Sequence, residues 1–192
     1  MKPAVEVVTP PAAEPVTAAE LAGHLKLNTG TAEYADLEKF IRTARQLFEK
    51  LTGRAVLPTS FRQHLGTFTG PVDLLRGPVT EVTAVGYFDP DGAEQELTGW
   101  ELDATTIPAV VYMPDGDYPT VSAKKRRPVW IEFTAGWATA GDVPELVRTA
   151  IKLQAGHYYA NREEQTTDAL KTIAAGFTTV CQLWDTGLMT GG

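Results

Sequence analysis

Between Ala32 and Thr52 the apolar residues Leu37, Phe40, Ile41, Ala44, Leu47, Phe48 and Leu51 return every three or four positions, which lines one side of an α-helix. Gly53 follows, suited to the left-handed turn that ends a helix. From Pro58 to Trp137 the period shortens to two, in runs broken by Gly, Pro and Asp. Strands are expected over Thr59–Leu65, Val79–Phe88, Glu94–Leu97, Ala109–Met113 and Val129–Thr134. Asp89-Pro90-Asp91-Gly92 is a tight-turn sequence, so Val79–Phe88 and Glu94–Leu97 should form a hairpin. A second long helix is expected after Gly141, with Asp142 as N-cap and Pro144 in the first turn. Its expected buried stripe is Leu146, Val147, Ala150, Ile151, Gln154, His157 and Tyr158.

The two ends are patterned differently. Prolines 3, 10, 11 and 15 mark residues 1–16 as an extended or mobile arm, with the ordered fold beginning after it. Thr17 followed by Glu20 is a capping box, opening a short helix to about His24 or Lys26 that carries Leu21 and Leu25. The C-terminal stretch is less regular, with a helix expected around Asp168–Ala175 and then the apolar Phe177, Val180, Leu183, Trp184 and Leu188. The fold class is therefore α+β: two long amphipathic helices packed with a short N-terminal one, a central antiparallel β-rich insertion and a C-terminal tail. The expected divisions are an arm (1–16), a helical part (17–57), the β-rich insertion (58–137), the second long helix (138–162) and a partner-binding tail (163–192). No internal repeat is visible.

With 192 residues, 43% of them hydrophobic, the chain is long enough to bury a core without staples. The stretches Val79–Phe88 and Leu146–Tyr159 fall short of the roughly 20 apolar residues of a membrane span, or are interrupted by charge. Proline and glutamate interrupt the first sixteen positions, so no export signal is read there. The single cysteine, Cys181, makes no internal disulfide and is expected as a small core residue, in keeping with a reducing compartment. A net charge of −7 argues against general adhesion to nucleic acid or anionic lipid. Lys124-Lys125-Arg126-Arg127 is the exception, expected as an exposed loop; its functional reading is contact with DNA phosphates or an acidic partner patch.

Candidate chemistry is sparse. His24, His64 and His157 fall on three separate elements with no metal-binding spacing. Nucleophile-elbow, P-loop and dinucleotide-binding signatures are absent. Asp89, Asp91 and Glu94 are spaced too tightly for a calcium loop and read as a hairpin tip, as Asp115-Gly116-Asp117 reads as a surface turn. Glu101 and Asp103 alternate with Trp100 and Leu102, which suggests a solvated strand face rather than a catalytic pair. No catalytic residue, metal ligand or cofactor site is expected, and the chain reads as a binding subunit, not an enzyme.

The order of segments carries a resemblance. Pro-Val-Thr-Ala-Ala-Glu-Leu-Ala-Gly-His-Leu-Lys-Leu (15–27) precedes a long helix that ends Phe-Glu-Lys-Leu-Thr-Gly-Arg-Ala (48–55). Leu75-Arg76-Gly77-Pro78-Val79 with Val82 and Tyr87, and then Phe133-Thr134-Ala135-Gly136-Trp137, come next. Pro144 to Ala150 leads to Tyr158-Tyr159-Ala160-Asn161-Arg162-Glu163. Taken in order over residues 15–165, these resemble the head–tail connector, or adaptor, family of tailed bacteriophages and gene transfer agents. The departures lie at the C-terminus, where Cys181-Gln182-Leu183-Trp184 and a Gly-rich end replace the usual short apolar segment with arginine.

The resemblance implies a structural subunit of the virion neck, made in the host cytoplasm. It implies a homo-oligomeric ring, commonly a dodecamer, docked beneath the portal protein and joined below to stopper or tail-completion proteins, with DNA passing non-specifically through its hole and no membrane partner. It places portal contact on the tail, at Phe177, Val180, Leu183, Trp184 and Leu188. A lumen or tail-side contact is expected of Lys124, Lys125, Arg126 and Arg127. Competing readings are a tail-completion or stopper protein and, from another class, a small-ligand module or enzyme on the central sheet.

Overall fold

The computed structural model describes residues 3–28, 34–161 and 175–185. The chain is α+β and forms two compact units, Met1–Pro11 with Pro58–Gly136, and Ala12–Leu57 with Trp137–Gly192.

The first unit is built on sheets. Strands β1 (Ala4–Thr9), β2 (Thr59–Leu65), β3 (Val72–Asp73), β4 (Val79–Phe88), β5 (Glu94–Glu96), β6 (Glu101–Asp103), β7 (Val110–Tyr112) and β8 (Val129–Ala135) form two antiparallel sheets. Their orders are β1-β2-β8-β4-β5 and β3-β7-β6. The expected hairpin is present, with Tyr87 opposite Gln95. In central β8 the alternation sets register: Val129, Ile131, Phe133 and Ala135 are buried, and Phe133 stacks on Phe61 at 5.6 Å. On the other face Arg62 lies over the Trp130 ring at 4.7 Å and pairs with Glu132. Gly86, opposite Trp130, leaves room for that indole; a Cβ there would lie 2.3 Å from Trp130 Cζ2.

The first residues differ from expectation. Ala4–Thr9 is extended but is not an arm ahead of the ordered fold: it is the edge strand paired to β2, from Ala4 opposite His64 to Thr9 opposite Ser60. The β-branched residues of Ala-Val-Glu-Val-Val-Thr favour a strand, and Pro3 and Pro10 stand just outside it, where a missing N–H costs no ladder bond.

The second unit is helical, with α1 (Ala18–His24), α2 (Tyr34–Thr52), α3 (Glu145–Ala160) and α4 (Ala175–Trp184). The capping box forms as read: the Glu20 amide donates to Thr17 Oγ1 at 3.1 Å and the Thr17 amide to Glu20 Oε2 at 2.7 Å. That bond from the Thr17 amide is the main cause holding the Glu20 carboxyl below its ordinary pKa. Arg148 of α3 pairs with Glu20 and donates to the Pro15 carbonyl at 3.1 Å, tying the start of α1 to α3. The core joins Leu21, Leu37, Ile41, Ala44, Phe48, Val147, Ile151 and Phe177, each fully buried and each large one contributing roughly 1.5–3 kcal/mol.

Two local expectations are corrected. Asp142 does not cap α3: its Oδ2 accepts from the Thr139 amide and hydroxyl at 3.0 and 2.6 Å, and Pro144 stands at the cap position instead. Leu146 and Leu51, placed on buried stripes by spacing, are 48% and 38% exposed. Arg45, on the buried side of α2, is 5% exposed because Glu14 and Glu49 both accept from its guanidinium. The helix expected over Asp168–Ala175 lies, apart from Ala175, outside the described residues.

Candidate partner-binding site

The apolar C-terminal residues do not share one environment. Within α4, Phe177, Val180 and Cys181 point into the helical core, and the Phe177 ring meets Phe48 edge-on. Trp184 is half-buried, its indole edge-on to Trp137 with centroids 5.6 Å apart. Leu183 points the other way and is 71% exposed. Leu188 lies outside the described residues.

Leu183 is not isolated. A methyl placed on Gly176 would sit 3.6 Å from Leu153 Cδ1, so α4 crosses α3 closely there, and its far end reaches Trp137, ahead of α3 in the chain. The two helices are thus antiparallel. Leu183 lies seven residues beyond Gly176, and Leu146 seven before Leu153; two helical turns separate each pair, roughly 10.5 Å along its axis. Leu146, Leu153 and Leu183 are all exposed, and Leu153 borders the place where α3 and α4 approach. Spacing placed Leu146 on the buried stripe and left Leu153 off it; α3 is apolar on more than one side, so the period alone does not say which side is covered.

The end of α4 is held from α2. Thr52 Oγ1 donates to the Phe48 carbonyl at 2.8 Å and accepts from the Arg54 amide at 3.2 Å, while Gly53 takes φ 71°. This turn delivers Arg54 to Trp184: Nε donates to the Trp184 carbonyl at 2.8 Å, and the guanidinium lies 5.0 Å from the centre of the indole. Burial lowers the Arg54 pKa. The sequence showed Thr-Gly-Arg as a helix ending; it gave no sign of what Arg54 reaches.

In the sheet unit, Lys124, Lys125 and Arg126 are exposed and Arg127 is half-buried, its Nε without a hydrogen-bond partner. Main-chain bonds brace this loop against β4, from the Ser122 amide to the Phe88 carbonyl and from the Phe88 amide to the Pro128 carbonyl. Lys125 Nζ sits 3.2 Å over the Phe88 ring. The acidic hairpin tip is occupied by its own turn: Asp89 accepts from the Ala93 amide and from Gln95 Nε2, both at 2.9 Å, the Gln95 bond chiefly lowering its pKa. Among the described residues no His, Cys, Asp or Glu cluster is arranged to hold a metal. A groove of about 540 Å³ beside β2 holds Gln63, but both ends of that amide are already bonded, to the Asp73 carbonyl and the Leu75 amide. No described helix is long and apolar enough to cross a membrane.

Comparison with solved structures bears on the kind of particle component the chain resembles. A chain in the neck of an empty gene transfer agent particle, computed with C6 symmetry, superposes with a TM-score of 0.78 at 27% identity, covering 98% of both chains. The chain is similar along its whole length to a gene transfer agent neck protein. Another, in the virion of a native gene transfer agent particle, gives 0.76 at 27% identity and 98% of both chains. A third, in the neck of a native particle computed with C12 symmetry, gives 0.72 at 26% identity, covering 100% of this chain and 99% of that one. These neck structures agree with the connector resemblance carried by residues 15–165. No protein-family model matches the chain, and no curated protein does. Exposed apolar side chains on this fold are Leu146, Leu153 and Leu183 in the helical unit and Val7, Val8 and Ile107 in the sheet unit, and Lys124, Lys125 and Arg126 are exposed cations.

Proposed function

We propose that this chain is a structural adaptor subunit of a virion or phage-like particle. Copies of it form a ring beneath the portal, join the DNA-filled head to stopper or tail proteins, and let DNA pass through the central hole. The observation that carries this reading is the likeness, over essentially the whole chain, to neck structures computed with C6 and C12 symmetry. Cyclic symmetry requires two different faces on each copy, and an α+β chain of two compact units has the surface to supply them. A ring of twelve copies is the reading we adopt, and both the C12 and the C6 symmetry of the neck structures are compatible with it. The net charge of −7 suits a passage that must not grip DNA.

In this reading the portal meets the C-terminal end of the chain. Leu183 is the exposed anchor, and Phe177, Val180 and Trp184 hold α4 in the helical core; Leu188, outside the described residues, is assigned to the same contact. The loop Lys124–Arg127 faces the lumen or the tail side. Particles assembled without this chain test the proposal: DNA-packaging heads without attached tails are expected, and normally tailed particles would overturn it.

A further inference from the structure

We infer that Arg54 is a positioning residue that fixes the C-terminal end of α4, so that Leu183 beside it meets its partner already placed. The inference rests on the adaptor reading. It starts from the chemistry of a helix end. The last carbonyls of a helix have no partner within it and carry the negative end of its dipole. At α4 that end is met by a cation from another helix terminus, since Arg54 Nε reaches the Trp184 carbonyl at 2.8 Å.

The arrangement holds direction as well as charge. The guanidinium lies over the same residue's indole, and the indole edge rests on Trp137, so backbone and side chain of Trp184 are both gripped. A lysine would supply the charge and N–H donors but not a flat face for the ring. Arg54 is itself aimed by the Thr52 hydroxyl and the left-handed Gly53, directly after α2. A preorganised helix end loses less freedom on docking, which raises affinity without adding a contact.

The test compares full-length wild type, R54A and R54K by amide hydrogen exchange and by capture on purified portal rings. R54A should speed exchange across α4 by roughly tenfold or more, the loss of one charged hydrogen bond, while α2 and α3 keep their protection. Portal capture should weaken by a similar factor, and R54K should fall between. Unchanged exchange in α4, or equal loosening of all the helices, overturns the inference. Loosened α4 with unchanged capture overturns the positioning role. If wild type itself fails to bind portal rings while R54A still loosens α4, the anchoring of α4 stands and the adaptor reading falls. Should R54A fail to accumulate, R54K decides by the same criteria.

Discussion

The ring of Phe177 meets that of Phe48 edge-on, with centroids 6.3 Å apart, and neither side chain is exposed to solvent. The helix that carries the candidate docking residue is therefore also part of the core, and the two roles separate by residue. Phe177→Ala should cost about 3–5 kcal/mol in urea unfolding, because it empties a site the surrounding helices fill only in part. Leu183→Gln should change stability by no more than about 0.5 kcal/mol and still weaken portal capture. A chain cut at residue 177 would expose Phe48 and confound folding with binding, so removal of residues 186–192 is the cleaner truncation.

Arg45 holds two carboxylates, at 2.7 Å from Glu14 and 2.7 Å from Glu49, with Glu49 also accepting from the Val56 amide at 3.0 Å. Burial raises the Glu49 pKa despite the neighbouring guanidinium. Arg45→Ala leaves both acids without that cation and should cost about 3–5 kcal/mol by denaturant titration. Adding Glu49→Gln, which keeps an acceptor for Val56 without the charge, should recover part of the loss.

Burial pushes the Cys181 thiol up to about 11. Between its ordinary value of 9.0 and that value the unfolded chain releases the proton and the folded chain retains it. The thiol's contribution is therefore fully present below pH 9.0 and is lost as pH rises toward about 11. Cys181→Ala should flatten the fall in stability across that window, measured as the difference in urea midpoints between the two proteins.

Reversing the charge of Lys124, Lys125, Arg126 and Arg127 should leave the fold intact, since three of the four are exposed, and should reduce DNA delivery by assembled particles. Full delivery with normal assembly would remove this loop from the account.

The fold was legible where a single period governed a segment. Thr59–Leu65 matched its strand to the residue, and α2 was clear from its apolar stripe, because burial on one face leaves one pattern. The strand Ala4–Thr9 was obscured by the prolines around it, although its own residues favour a sheet. Asp142 was misplaced because a side chain that can cap a helix can equally close a turn with Thr139. At the candidate site, Leu183 was visible as an apolar residue, but the exposure of Leu146 was not. Which side of α3 stays open depends on where α4 packs, a long-range relationship with no local signature. The grip of Arg54 on Trp184 spans 130 positions and was hidden for the same reason.

The central claim is that this chain forms a ring in the particle neck. A cryo-electron microscopy reconstruction of the neck at side-chain resolution tests it most directly. The account predicts twelve copies of this fold in one ring around the DNA path, between the portal and the next neck protein. A neck in which every ring is built from other polypeptides would contradict it.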